Sequence, residues 1–120
     1  MKFIKWNRET EIDDLMKFDI GLMPIINDTW ANGKCGFKAI QYMALGIPAV
    51  VSPIVGNPQL VDDMIDGLIC NTLKDWREKL TLIMEDKMLL QKLSMNTRDN
   101  IVKRYSVNSN KDNFLSLFEL

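Results

Sequence analysis

The sequence predicts an α/β protein in which a parallel β-sheet carries helices on both faces. Strand-like and helix-like patterns alternate from the start of the chain to about residue 70, which is typical of a parallel sheet with helical crossovers. Ala49–Val51 is an uninterrupted apolar run, as expected of a strand covered on both faces. The chain has 120 residues, of which 47% are hydrophobic, and this suits one domain with a buried core.

The first half of the chain predicts three strands and two helices. Residues 2–6 alternate between polar and apolar side chains, which favours a first strand. Phe37, Ile40 and Ala44 have the spacing of one helix face. Gly46 then supplies a helix stop. The predicted order is a strand over residues 2–6, a helix from Asn7 or Thr10 to about Lys17, a strand at Asp19–Pro24, a helix after Gly36, and a strand at Ala49–Val51.

The second half predicts one more strand and four helices. The predicted elements are a helix from Pro58 to about Ile65, a strand at Leu68–Cys70, a helix that Asn71 or Thr72 caps, a helix from Lys87 to Arg104, and a helix that Ser106 caps and that ends near Leu117. Helical spacing predicts that the inward residues are Leu73, Trp76, Leu80 and Ile83, then Leu89, Leu90, Leu93 and Ile101. Open sheets of this kind bind ligands outside the carboxyl ends of their strands. We therefore expect the loops at residues 24–34, at 52–57 and after Cys70 to converge on one edge.

Composition excludes several classes of function. The net charge of −1 gives no bulk attraction to nucleic acid or to an anionic membrane, and no apolar run is long enough to span a bilayer. The two cysteines are too few for a disulfide framework and are typical of reduced thiols in a cytoplasmic protein. The sequence has no histidine and no Asp-x-Asp at a strand end, so neither a histidine-based triad nor a metal site is predicted.

A glycine-containing loop and the helix after it form the strongest candidate site. Gly33 and Gly36 flank a turn where backbone can approach a ligand closely, and the N–H groups of Gly36 and Phe37 offer a place for phosphate. Lys34 and Lys38 lie four residues apart and would share a face if the helix begins early, so both are predicted to meet a diphosphate. The alternative is a structural turn flanked by two solvated lysines.

Three motifs follow one another around this loop. Asp19–Pro24 has the pattern of a strand, Gln41–Ala44 reads Gln-Tyr-Met-Ala, and Gly46–Val51 reads Gly-Ile-Pro-Ala-Val-Val. In this order and spacing they resemble the donor-binding segment of GT-B glycosyltransferases of the large retaining family 4, the glycosyl transferases group 1. Many members of that family read Glu-Ala-Met-Ala and Gly-x-Pro-Val-Val at these places. The resemblance covers about residues 2–105 and implies a Rossmann-like, partial GT-B C-terminal domain.

The resemblance implies transfer of a hexose from a nucleotide diphosphate sugar to a hydroxyl acceptor, without a metal ion or another cofactor. Gln41 stands where the family has a glutamate that binds ribose, and Gly33 stands where it has a glutamate that contacts the donor sugar. Either this chain handles its donor differently, or it has lost activity. The predicted donor-binding residues are Gly33, Lys34, Gly36, Phe37, Lys38 and Gln41, with Trp30, Ser52, Gly56 and Asn57 at the edge of the donor site and no catalytic residue.

Residues 1–120 are expected to form a single, partial donor-binding domain, because the family's preceding strands and acceptor domain have no counterpart in this sequence. The isolated chain is therefore expected to be inactive and to depend on the missing acceptor domain or on a partner chain. The alternative is a non-catalytic nucleotide-binding or protein-interaction module. A ligand-free response-type domain is a third interpretation, which the lack of an acidic cluster at a strand end disfavours. An uncovered edge at residues 2–6 further predicts a homodimer.

Overall fold

Three short parallel strands form the sheet in the computed structural model, which describes residues 2–26, 28–53 and 60–118. They are β1 (Gly21–Met23), β2 (Ala49–Val51) and β3 (Gly67–Ile69), side by side in the order β1-β2-β3. Val50 lies opposite Leu22 on one side and opposite Leu68 on the other. The central strand β2 is buried along its whole length, as its apolar sequence predicts.

Five α-helices and one short 3₁₀ helix surround the sheet in the described part of the chain. They are α1 (Glu11–Leu15), the 3₁₀ helix (Ala31–Gly33), α2 (Phe37–Ala44), α3 (Leu73–Glu85), α4 (Lys87–Tyr105) and α5 (Val107–Ser116). The predicted caps are confirmed where side chains close the helix starts. Thr72 begins α3 with a capping box, and Ser106 accepts a hydrogen bond from the N–H of Ser109 at the start of α5.

Two cores lie on the two faces of the sheet. Successive side chains of β2 point to opposite faces, so Ala49 and Val51 enter one core and Val50 enters the other. The first core also contains Ala39 and Met43 of α2 with Ile101 of α4, whereas the second contains Ile83 of α3 and Leu93 of α4. Helices therefore cover both faces, and the predicted fold class is confirmed.

The first predicted strand is wrong. Residues 2–6 form no strand, and the side chains of Phe3 and Trp6 are 86% and 66% exposed. Alternation of side chains favours an extended backbone, but a strand also needs a neighbour that satisfies its N–H and C=O groups. The sheet in the described residues thus has three strands, and β1 pairs only with β2.

The predicted helix from Pro58 to Ile65 is also wrong for the part that the structure describes, while Pro58 lies outside the described residues. Residues 60–66 form a turn, in which the buried carboxylate of Asp66 accepts a hydrogen bond from the N–H of Asp62 at 2.8 Å. Asn100 of α4 donates a second hydrogen bond to Asp66. Burial raises the pKa of Asp66, and these two bonds offset part of that effect. The carboxylate therefore ties the turn before β3 to α4.

Helical spacing overestimates burial at the ends of helices. Leu73, predicted to face inward, is 90% exposed because it is the first residue of α3, ahead of the turns that reach the core. Phe37 stands in the same position in α2 and is also exposed. The later members of both stripes lie deeper, since Ile83 is buried and since Ile40 and Ala44 are half-buried against the first core.

We expect Gly67→Ala to destabilise the fold by about 1–3 kcal/mol, the usual cost of overpacking. An added Cβ would lie 2.5 Å from the carbonyl oxygen of Ala49, and that oxygen belongs to the central strand and cannot rotate away. Urea unfolding of purified protein measures the loss.

Gly33→Ala is the matched control, because a Cβ at Gly33 meets nothing within 4 Å. Equal unfolding free energies for the two variants would contradict the packing seen between β2 and β3.

Candidate functional site

The carboxyl ends of all three strands open into one cavity of about 430 Å³. We call it the strand-end cavity, and it is lined by Ile25, Ser52, Pro53, Cys70, Asn71, Thr72, Leu73 and Trp76. Each of the three strands sends its following segment into this lining. The residues that directly follow the three strands thus meet at one edge, as predicted, while residues 54–57 lie outside the described residues. Open α/β sheets bind ligands at this edge.

Ser52 links the end of β2 to the end of β1 and to the loop that follows it. Its N–H donates to the carbonyl oxygen of Met23, and its hydroxyl oxygen accepts from the N–H of Ile25 at 3.0 Å. The side chain is nearly buried, with 8% of it exposed. Ser52 therefore carries the β1–β2 pairing one residue beyond the strands and holds the loop that follows β1.

The start of α2 has no side-chain cap. Gly36 precedes the helix with a φ of 75°, in the left-handed region that glycine adopts without strain. The first intrahelical hydrogen bond runs from the N–H of Ile40 to the carbonyl oxygen of Gly36. In contrast, side chains cap α3, α4 and α5. The N–H groups of the first turn of α2 thus have no capping side chain among the described residues, and such donors suit an anion.

Lys34 and Lys38 lie on either side of this helix start. They do not share a helix face as predicted, because α2 begins at Phe37 and Lys34 has an extended backbone before it. Both side chains are exposed, and neither forms an ion pair or a hydrogen bond through its amine with any described residue. No described side chain therefore neutralises the positive charge of these two lysines at the start of α2. This arrangement suits a phosphate group, which lysine binds as a point charge.

Gln41 is joined to a residue that the sequence analysis missed. Its side-chain amide donates to the carboxylate of Glu11 at 3.3 Å, which links α2 to α1. A carboxylate therefore lies beside Gln41, although it comes from 30 residues away in the sequence. The one sequence signal for Glu11 is the acidic first turn of α1, and this signal does not identify Gln41 as its partner.

The remaining predicted residues lie along the loop between β1 and α2 or beyond the described chain. Trp30 is 82% exposed, and Gly33 ends the 3₁₀ helix. Asp28 accepts a hydrogen bond from the N–H of Ala31 at 2.6 Å and so holds the turn that starts this helix. Gly56 and Asn57, predicted at the edge of the donor site, lie outside the described residues.

The start of α3 is occupied by the protein's own carboxylate. One oxygen of Asp75 accepts from the N–H groups of Asn71 at 2.8 Å and Thr72 at 3.1 Å. These hydrogen bonds lower the pKa of Asp75, so it is ionised at neutral pH. The neighbouring Cys70 is buried, and burial raises the pKa of its thiol. The strand-end cavity therefore borders a fixed negative charge and a neutral thiol.

The described residues contain neither a membrane-spanning helix nor a cluster of metal-ligating side chains. None of their helices combines the length and apolar character needed to cross a membrane. Among the same residues, histidine, cysteine and carboxylate side chains do not gather in groups of three that could hold a metal ion. The predicted independence from metals and cofactors stays a prediction.

A family model described as glycosyl transferases group 1 matches residues 2–86 of the chain. The match includes all three strands, α1, α2 and the whole of α3. It therefore contains both the uncapped helix start and the strand-end cavity. No curated protein matches the chain significantly.

We expect Asp75→Asn to lower the free energy of unfolding at neutral pH and to have less effect in acid. The pKa of Asp75 is lower in the folded chain than its ordinary value of 3.8, so folding gains stability from the ionised form above that value. This gain disappears as the pH falls through the folded pKa and the carboxylate is protonated. Urea unfolding from pH 7 to pH 3 measures the difference between variant and wild type.

Asp112→Asn serves as the control, since Asp112 is exposed on α5 and bonds to no described side chain. A deficit of Asp75→Asn that stays constant down to pH 3 would contradict the role given to its charge.

Proposed function

The chain belongs to the glycosyl transferases group 1, and on this premise we propose that it is the nucleotide-sugar donor-binding part of a retaining glycosyltransferase of family 4. The reaction is transfer of a hexose to a hydroxyl acceptor. The observation that carries the proposal is the start of α2, which no described side chain caps and which lies between two lysines that no described carboxylate pairs with. A nucleoside diphosphate sugar combines an anionic diphosphate with a ribose diol, and this part of the chain has groups suited to both.

The diphosphate would lie at the start of α2. The free N–H groups of the first turn and the helix dipole attract an anion there, and each nearby charge contributes about 0.3–1 kcal/mol. Lys34 and Lys38 add positive charge that no described side chain neutralises. Phe37 is exposed beside them, so its side chain is accessible to a ligand. Gly36 is itself buried, and its left-handed backbone sets the direction in which the chain enters α2.

The ribose would lie against the pair formed by Gln41 and Glu11. A carboxylate accepts hydrogen bonds from hydroxyl groups, and a carboxamide both donates and accepts them. The 3.3 Å bond between the two side chains orients them and leaves further acceptor positions on both. Glu11 would thus supply the negative charge that is lost where the family's ribose-binding glutamate is replaced by Gln41.

Gly33 supports a role in binding rather than in catalysis. It stands where the family has its second glutamate, and a glycine cannot supply a carboxylate to the donor sugar. The nearby carboxylate of Asp28 is already bonded to the N–H of Ala31. We therefore propose that the chain binds its donor and leaves transfer to groups on an acceptor domain or a partner chain. A non-catalytic nucleotide-binding module is the second candidate, and the same glycine favours it.

The proposed homodimer would use a different edge from the one predicted. Residues 2–6 form no strand, so β1 is itself one of the two edge strands of the described sheet, and its Leu22 is 47% exposed. Pairing of two β1 edges would cover this apolar side chain.

Both cysteines, Cys35 and Cys70, are free thiols, which suits the proposed cytoplasmic location.

We expect a nucleoside diphosphate to bind with a dissociation constant on the order of 1 mM, about 4 kcal/mol, and to shift amide resonances between Gly33 and Gln41. Lys38→Ala should weaken the diphosphate more than the nucleoside, because the lysine meets phosphate. Glu11→Gln and Gln41→Ala should weaken both ligands equally and should hardly affect a nucleoside without ribose hydroxyls. NMR titration of the labelled chain measures all three effects.

Lys111→Ala removes an exposed lysine of α5 and is the control for bulk charge. The proposed donor site is refuted when millimolar diphosphate moves no resonance between Gly33 and Gln41 in the folded chain.

We also expect the purified chain to transfer no hexose on its own, since Gly33 leaves the donor sugar without its carboxylate. The assay follows product from a panel of nucleotide sugars with simple glycoside acceptors. Turnover above the buffer blank that Lys38→Ala abolishes would contradict this expectation.

A further inference from the structure

We propose that the exposed face of α5 pairs with the same face of a second copy of this chain, with the two helices antiparallel. A groove of about 520 Å³ runs along α5 and the end of α4, and we call it the α5 groove. It is lined by Tyr105 of α4 and, on α5, by Val107, Asn110, Lys111, Phe114 and Leu115. The groove shares no residue with the proposed donor site, and α5 lies outside the residues that match the family model. The inference therefore goes beyond the proposed function and does not rest on it.

α5 is a helix without a buried side. None of its ten residues is buried, whereas α3 and α4 bury Ile83, Leu93 and Ile101. A helix of this length is marginal in water by itself and owes its stability mostly to packing of an apolar face. α5 therefore has apolar surface that packing within the described chain does not cover.

The exposed apolar residues of α5 follow one stripe. Val107, Phe114 and Leu115 line the groove at separations of seven and eight residues, which is the spacing of one helix face. Phe118 continues the stripe one turn further, since its ring centre lies 5.3 Å from that of Phe114 in an edge-to-face pair. These two rings are 61% and 69% exposed, although phenylalanine is among the residues most often buried. The stripe therefore ends in a pair of aromatic rings outside the core.

This stripe is complementary to itself when two copies run antiparallel. With the centre of the pair between residues 112 and 113, the positions of the stripe in one copy meet those in the other. Val107 then lies opposite Phe118 of the second copy, so a large ring meets a small side chain beside the end of α4. Lys111 lies opposite Phe114 in the same way. The contact is isologous, as the interface of a two-fold dimer must be.

Charge favours the antiparallel arrangement. Lys111 carries the one full charge among the described residues that line the groove, and its amine forms no ion pair with a described carboxylate. In the antiparallel pair its aliphatic stem covers the ring of Phe114 of the second copy, and its amine attracts the ring face or stays in water. A parallel pair would set the two lysines side by side, where like charges repel.

The size of the face suits a dimer that forms and dissociates. A phenylalanine side chain buries roughly 150–250 Å², so the exposed apolar side chains of the stripe offer on the order of 500 Å² per copy. Two copies would together bury about 1,000 Å², the lower limit for a specific protein interface, and interfaces of this size are weak and transient. A second copy is therefore sufficient to cover the face, and the dimer is expected to dissociate on dilution.

The test is analytical ultracentrifugation of the full chain from about 10 μM to about 500 μM, where a weak dimer forms as the concentration rises. Phe114→Ala and Phe118→Ala should each weaken association about tenfold or more, as truncation of a central aromatic residue does. Both side chains are exposed, so the variants should keep the helix content that circular dichroism reports. Phe3→Ala removes an exposed phenylalanine outside α5 and should change nothing.

Leu22→Ala separates this contact from pairing of β1 edges, because Leu22 lies on β1 and outside the groove. Association through α5 should survive this substitution. The proposal is overturned by a chain that stays monomeric at about 500 μM, which would leave the face to another occupant. It is equally overturned when both phenylalanine variants associate like wild type.

A spin label tests the direction of the two helices. Asn108 is exposed beside the stripe, and Asn108→Cys accepts a label once Cys35→Ser has removed the exposed thiol. In a mixture with an unlabelled, ¹⁵N-enriched copy, the label should broaden the amide of Leu117, which lies opposite residue 108 in the antiparallel pair. Stronger broadening at Asn108 of the unlabelled copy would show a parallel pair and overturn the proposal. Failure of the donor site would be read separately, from the amide resonances of residues 33–41.

Discussion

The double burial of β2 is the constraint on which the rest of this structure depends. Its three residues are at most 2% exposed, and its backbone pairs with a parallel strand on each side. Because alternate side chains point to opposite faces, the same three residues anchor both cores. The tight approach of β3, where Gly67 lies against the carbonyl of Ala49, follows from this central position. Loss of the packing around β2 would therefore destabilise the helices on both faces of the sheet.

The position of β2 also determines where ligands can bind. Directly after the strand, Ser52 holds the N–H of Ile25 and so keeps the loop after β1 next to the loop after β2. The first residues of α3 close the same edge from the side of β3. A cavity therefore forms at the carboxyl ends of the strands, while the buried carboxylate of Asp66 braces the turn that enters β3. The turn before β3 therefore has a structural role, whereas the segment after β3 lines the cavity.

Helix capping gives the two sides of this edge different chemistry. At α3 the protein supplies its own carboxylate, Asp75, and the capping side chain of Thr72, so the helix start carries negative charge. At α2 a glycine in the left-handed conformation takes the capping position, and no described side chain caps the helix. The same backbone feature, the start of a helix after a parallel strand, thus carries an internal carboxylate in one place and suits an anion in the other. The difference comes from two residues, Gly36 and Asp75.

Local interactions are what the sequence by itself determined. The bounds of β2, the capping of α3 by Thr72 and of α5 by Ser106, and the end of α2 before Gly46 were all predictable, because each depends on residues a few positions apart. Contacts between distant segments were decided by the tertiary structure alone. Residues 2–6 alternate like a strand but have no neighbouring strand, and Gln41 bonds to Glu11 from 30 residues away. The lining of the strand-end cavity likewise joins residues from three loops. Periodicity and capping describe the energy of one segment, whereas a strand partner, a carboxylate beside an amide or a cavity exists only once separate segments pack together.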